Sequence, residues 1–237
     1  VSNEEAYQLI AGDGEQSESE KSFIGGYPKL PPHLDLPVCR LCGTQLTFFL
    51  QVSFPENSPW YGQTLAVFQC VDCYHQDRLI PELLSPLKGA RIPEGFLDHS
   101  QLNFRFMVFD SGETVQRVDY TPRIRFCPLQ LSPLRDAASH VDKLGGRPWW
   151  LLEDESPACY AGDIELTFLG QLTQRPMEDD RFELLPDAPG QMFEDYFGTQ
   201  SIRRSDDRYY KLFIGNEIYL FGTVGLPTGL IYCVVQN

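Results

Sequence analysis

The residues of this chain best suited to chemistry are four cysteines in two C-x-x-C pairs, Cys39 with Cys42 and Cys70 with Cys73, separated by 27 residues. A C-x-x-C pair presents two thiolates from one tight turn, and zinc takes four soft ligands in a tetrahedron. The pattern predicts one zinc ion held by Cys39, Cys42, Cys70 and Cys73. Gly43 directly after the first pair lets the backbone turn its amides toward sulfur. A redox pair of the thioredoxin type opens a helix after a strand, and Arg40-Leu41 between Pro37 and Gly43 lacks that form. His75 is an alternative fourth ligand in place of Cys73. Four thiolates leave no position for water, so the expected zinc is structural rather than catalytic.

Two strands must position these pairs. Leu46 to Phe54 and Thr64 to Gln69 read as strands, and the Pro55 to Gly62 loop between them absorbs the long spacing. Leu102 to Phe109 alternates as a further strand ending at the turn Asp110-Ser111-Gly112, and 114–126 reads as another. A hairpin is expected from Tyr209 to Phe221 with Gly215-Asn216 at its turn, then a last strand from Leu230 to Val235. Short helices are expected at 3–11, capped by Ser2 or Asn3, and at 134–144, ending at Gly145. Residues 77–90 are ambiguous, a short helix broken by Pro81 and Pro86. Residues 12–21 are rich in Gly, Ser and Glu and read as a flexible acidic loop.

The second half repeats the first. Residues 25–52 align without a gap on 145–172, with nine identical pairs that include Gly25/Gly145, Gly26/Gly146, Cys39/Cys159, Phe48/Phe168 and Gln51/Gln171. Average composition gives roughly two such matches by chance. The predicted fold is therefore β-rich α+β, with two pseudo-symmetric repeats of antiparallel sheet and short helices. The divisions are 1–21 (a helix and acidic segment), 22–142 (first repeat with the zinc site) and 143–237 (second repeat without zinc). Gly162 stands where Cys42 does, so Cys159 reads as a buried remnant thiol. The second repeat also carries an acidic insert near 173–210.

The 237 residues carry 19 basic and 33 acidic side chains, a net charge of −14. Such a field repels nucleic acid and anionic membrane and favours a basic partner, although solubility alone would also explain it. No run of 18 apolar residues is present, and Val1 to Leu9 lack the basic-then-apolar pattern of a signal peptide. The missing initial Met reads as processing or trimming. Seven cysteines, an odd count in a long chain, fit a reducing compartment, the cytoplasm with the nucleus as second option.

The runs Ile24-Gly25-Gly26-Tyr27-Pro28, Pro37-Val38-Cys39-Arg40-Leu41-Cys42-Gly43 and Leu46-Thr47-Phe48-Phe49-Leu50-Gln51-Val52 resemble the N-terminal region of programmed cell death protein 2 and its relatives. They are also similar to the bacterial YwqG-like family. The resemblance covers about 22–75 and, more weakly, 143–172. It implies a zinc-containing adaptor that escorts a basic ribosomal protein, or an immunity protein set against a toxin. Neither group supplies an active site to carry over.

A search for catalytic patterns yields no catalytic residue. The four histidines form no H-E-x-x-H, and no P-loop, G-x-S-x-G or G-x-G-x-x-G occurs. Asp98-His99-Ser100 has triad types, but sequence neighbours point apart. Glu153, Asp154 and Glu155 read as a solvated face. The expectation is a non-enzymatic binding module for a basic client, a ribosomal protein or a toxin. Its contacts are expected at Glu178, Asp179, Asp180 and the exposed member of Trp149/Trp150. The alternative is an enzyme with its site in a cleft between the two repeats.

Overall fold

The computed structural model describes residues 5–73, 80–174, 181–194, 200–202, 208–223 and 229–237. Its strands are β1 (Ala6–Ala11), β2 (Phe23–Ile24), β3 (Lys29–Leu30), β4 (Thr47–Ser53), β5 (Gln63–Gln69), β6 (Arg91–Ile92), β7 (Phe104–Asp110) and β8 (Val115–Gln116). There follow β9 (Cys127–Pro133), β10 (Lys143–Gly145), β11 (Cys159–Tyr160), β12 (Ile164–Leu172), β13 (Met192–Glu194), β14 (Gln200–Ile202), β15 (Glu217–Thr223) and β16 (Ile231–Gln236). One short α-helix, α1 (Phe96–His99), stands among the described residues.

Twelve strands form one mixed sheet whose main path runs β16-β15-β12-β10-β1-β9-β2-β4-β5-β7. Its one parallel pairing among these is β6 with β11, which lies off the path. The two ends of the path enclose a shared apolar core. Leu50, Val52, Leu65 and Val67 from β4 and β5 meet Leu172, Ile218, Leu220 and Ile231 from β12, β15 and β16 in one cluster. The outer faces of the two ends carry their own smaller clusters. Phe48, Ala66 and Phe68 lie in one, and Tyr219, Phe221, Tyr232 and Val234 in the other. Because side chains alternate across a strand, burial of both faces produces the continuous apolar runs of β5, β15 and β16.

A bulge in β4 lets consecutive aromatics serve different layers. The register with β5 shifts between Phe48 and Leu50, so Phe49 joins Leu50 on the central core while Phe48 faces outward. β12 shifts in the same way against β15, between Phe168 and Gly170. Phe23 pairs with Gln51 and Ile24 with Leu50; in the other half Lys143 pairs with Gln171 and Leu144 with Gly170. Gly25, Gly26, Gly145 and Gly146 all take positive φ. A Cβ on Gly25 would strike the Arg125 carbonyl, and one on Gly145 the Glu5 carbonyl, so both chain crossings require glycine.

Several expected elements are corrected. Ala6–Ala11, expected within a helix, is a strand between β9 and β10, where distant partners outweigh a local pattern that fits both forms. No helix forms over 134–144. There the Asp136 carboxylate accepts the Ala138 amide at 3.0 Å, a local turn that competes with helix, and Lys143 and Leu144 enter β10. The expected hairpin from Tyr209 is also absent. Leu212–Gly215 is a 3-10 turn with Phe213 and Ile214 at positive φ, and β15 pairs with β12 and β16 instead. The acidic loop 12–21 is tied to the fold. Lys29 Nζ donates to the carbonyls of Ser17, Glu18 and Glu20 at 2.9, 2.6 and 2.9 Å, and the Gln16 amide bonds both backbone groups of Tyr27.

β4 and β5 pack directly on β12, β15 and β16, while a polar cleft of about 440 Å³ elsewhere is lined from both halves, by Arg125, Phe126 and Cys127 and by Arg181 and Glu183. The void within that packed core, lined by Leu50, Leu65, Leu144, Leu172 and Leu220, has about 20 Å³, room for about one water. A tryptophan crosses this interface. Trp60, from the loop between β4 and β5, is buried, and its indole N–H donates to the Thr223 carbonyl at 3.0 Å.

Candidate metal centre

The four cysteines come together. The Sγ atoms of Cys39, Cys42, Cys70 and Cys73 all lie within 4.8 Å of one another. Three of the separations are 3.7 Å (Cys39–Cys73), 3.7 Å (Cys42–Cys70) and 3.4 Å (Cys70–Cys73). Four sulfurs on a tetrahedron with metal–sulfur bonds of about 2.3 Å stand roughly 3.75 Å apart. The cluster therefore fits one metal ion, and all four positions of a tetrahedron would be cysteine.

The β4–β5 pair delivers both turns to one end. The Gly43 amide donates to the Cys39 carbonyl at 2.8 Å and the Cys39 amide to the Thr44 carbonyl at 2.8 Å, closing the first knuckle before β4 begins. Gly43 has φ 77°, which a side chain would disfavour. The second knuckle leaves β5 at Cys70, whose amide donates to the Asn103 carbonyl at 2.7 Å. Arg123 holds Asp72, inside the second pair, at 2.7 Å. Arg40, inside the first pair, donates to the Asp98 carbonyl at 2.9 Å, and Asp98 also pairs with Arg105 of β7 at 2.6 Å. That pair with Arg105 holds the Asp98 carboxyl below its ordinary range. The knuckles are thus braced from behind by charged pairs, with Cys39 and Cys70 buried in the cluster of Phe48 and Phe68 and Cys42 exposed.

The same crowding makes bare thiolates unfavourable. The hydrogen bond with Cys39, then burial, pushes the Cys70 thiol well up; burial, then the nearby Cys70 charge, does the same to Cys73. The Asp72 amide works the other way, donating to Cys70 sulfur. A bound dication reverses this balance and draws the thiols to thiolates. An ion held by four thiolates would have no open position for a water and would act by bracing the fold.

The remaining expected site residues lie elsewhere. Cys159 is buried near the Gly162 carbonyl at 3.2 Å, apart from the four-cysteine cluster. Trp150 packs on Tyr219, with ring centroids 4.4 Å apart, while Trp149 is 37% exposed and stacks on His140 at 3.9 Å. Glu178, Asp179, Asp180 and His75 lie outside the described residues. The neighbours Asp98, His99 and Ser100 do not converge: Asp98 faces the two arginines, and His99 Nδ1 bonds the Gly95 carbonyl at 2.7 Å.

Sequence reasoning missed one polar constellation. Glu217 is fully buried in β15, where its carboxylate meets Gln171 Nε2 at 2.6 Å, the Gln174 amide at 2.7 Å and His140 Nε2 at 3.2 Å. Gln171 Oε1 in turn accepts the Trp149 amide at 2.9 Å, as Gln51 Oε1 accepts the Lys29 amide at 3.1 Å. The identical Gln51/Gln171 pair was the signal that could have pointed to it.

Among the described residues no helix is long and apolar enough to cross a membrane. No family model matches the sequence, and no curated protein does.

Proposed function

We propose that this chain is a zinc-braced protein-binding module, made of a duplicated unit, that takes a basic protein as its partner. The single observation behind the partner class is the net charge of −14, which steers a basic protein and raises its on-rate. Zinc is the reading of the metal because a site of four cysteine sulfurs at tetrahedral spacing suits it best. The duplication is supported by the paired bulges and strand registers at a constant offset, together with the twin Gly-Gly turns. The divisions at 22–142 and 143–237 follow from it, and the second unit has lost its metal.

The resemblance to the programmed cell death protein 2 and YwqG-like families adds two forms of this reading: escort of a ribosomal protein or neutralisation of a toxin. Both belong in the cytoplasm, with the nucleus as the second compartment for an escort. The test is affinity purification of the tagged chain from its own cells at low and moderate salt, with captured proteins identified by mass. One basic protein in near-equal amount, lost as salt rises, is the expected result, and its identity separates the two forms. Capture of nothing, or of a partner insensitive to salt, would refute the electrostatic reading.

A further inference from the structure

The two ends of the twelve-stranded sheet are unequal. Every residue of β16 is buried, whereas β7 ends the path with residues 107 and 108 half-buried and Asp110 exposed. β7 pairs with β5 in unbroken register from Phe104 to Asp110. The Cys70 amide donates to the Asn103 carbonyl and the Ser111 amide to the Gly62 carbonyl, so odd-numbered residues turn their backbone groups toward β5. Residues 104, 106, 108 and 110 turn theirs outward. At the N-terminal half that edge is guarded. The Phe106 amide donates to Gln101 Oε1 at 2.7 Å, and Arg105 and Asp98 pair beside it. At the C-terminal half there is no such guard: among the described residues no hydrogen bond engages the Val108 N–H or C=O.

A cleft of about 620 Å³ runs along this unguarded stretch. Val108 packs toward the central core and Phe109 toward the outer one, so a cleft touching both passes the strand's edge rather than one face. Pro31, His33 and Leu34 also line it, and Asp110 and Glu113 of its lining are exposed. An open strand edge recruits an extended chain through backbone hydrogen bonds, while flanking pockets select alternate side chains. The apolar wall suits an aliphatic residue, and the two carboxylates suit a Lys or Arg beside it.

We propose that the outer edge of β7, centred on Val108, is where an extended basic segment of the partner protein adds as a further strand. This rests on the basic-partner reading above and gives it a place.

The test uses the full chain and an acetylated dodecapeptide of alternating Val and Lys, read by fluorescence anisotropy, with the Val108 amide followed by NMR. Val108→Pro removes an outward N–H that no described residue bonds, together with a half-buried side chain, at a position where an edge strand accepts Pro. Circular dichroism and melting temperature check that this variant is folded. The expected result is that the Val–Lys peptide binds at least tenfold more weakly to Val108→Pro, and that its fully N-methylated form is likewise lost to the wild type. The Val108 amide signal should shift on binding, and Glu113→Lys should weaken binding at low salt. If the peptide binds Val108→Pro within twofold of wild type, the edge is not the site, and the basic-partner reading survives. The edge is excluded in the same way if wild type binds no Val–Lys peptide while affinity purification yields a basic client. A Val–Glu peptide bound as tightly as Val–Lys would overturn the basic-partner reading itself, and this proposal with it.

Discussion

Cys70→Ser tests whether a metal held by the four cysteines braces the fold. Cys70 is 4% exposed, lies 3.7 Å from Cys42 and 3.4 Å from Cys73 across the cluster, and shares a core with Phe48 and Phe68. A site of four thiolates contributes on the order of 10–16 kcal/mol to folding, so loss of one ligand costs about 2.5–4 kcal/mol if shared evenly. For a chain of this size each kcal/mol moves the melting temperature by roughly 2–4 °C, giving an expected fall of roughly 5–16 °C. Elemental analysis of the purified, reduced protein should give one zinc per chain, and a strong chelator should lower the wild-type melting temperature toward that of the variant. Cys159→Ser is the control. It changes a buried thiol outside the cluster and should leave the metal content intact. A Cys70→Ser protein that keeps one tightly held zinc and melts like wild type would refute the assignment. So would a reduced wild type that takes up no zinc in competition with a chromophoric chelator.

Other perturbations probe the joint between the halves and the charge. Trp60→Ala removes a buried indole that meets Gly222 and Gly229 and donates to Thr223, and should cost about 3–5 kcal/mol in chemical denaturation. Lys143 is fully buried, and burial lowers its ammonium to about 8. The folded chain then releases this proton before the unfolded one does. The stability of wild type relative to Lys143→Met should therefore rise between pH 8 and 10.5, by about 3 kcal/mol in paired urea titrations. Reversal of Glu178, Asp179 and Asp180 together should weaken partner binding at low salt and matter little at high salt, read by anisotropy with the captured client. Unchanged affinity at both salts would remove the insert from the contact surface.

What could be read from the sequence divides by the range of the forces involved. The cysteine cluster was legible because two short turns joined by a strand pair fix four sulfurs almost without regard to the rest of the chain. β4, β5 and β7 were legible because their apolar runs are long enough to exclude other forms. β1 was not, since Ala6, Tyr7, Leu9 and Ile10 fit a helix as well as a strand, and only pairing with Leu131 and Lys143, far along the chain, decides between them. The turn at Phe213 was hidden for a similar reason. A bulky residue at φ 45° is disfavoured locally, and here its ring is buried against Phe104 at 5.3 Å while its amide donates to Gln69 Oε1 at 2.9 Å. The order of 12–21 depends on Lys29, a residue that composition marks as a surface charge and the fold buries under three carbonyls.

Each half also lends the other a piece of itself. Ala90, Ile92 and Leu97, which follow the first metal knuckles in sequence, pack with Tyr219 and Phe221, and β6 pairs with β11. In return Phe182 and Tyr210 cover Phe49, with ring centroids 4.9 and 6.3 Å away. The molecule is thus a mutual exchange rather than two beads on a string. A cut between the halves would leave each fragment with a bare apolar face shaped for the other. Two nicked pieces made together would re-form the whole, whereas either piece made alone would seek a substitute surface. A metal held at the knuckles would accordingly brace the second half as well, through the shared core.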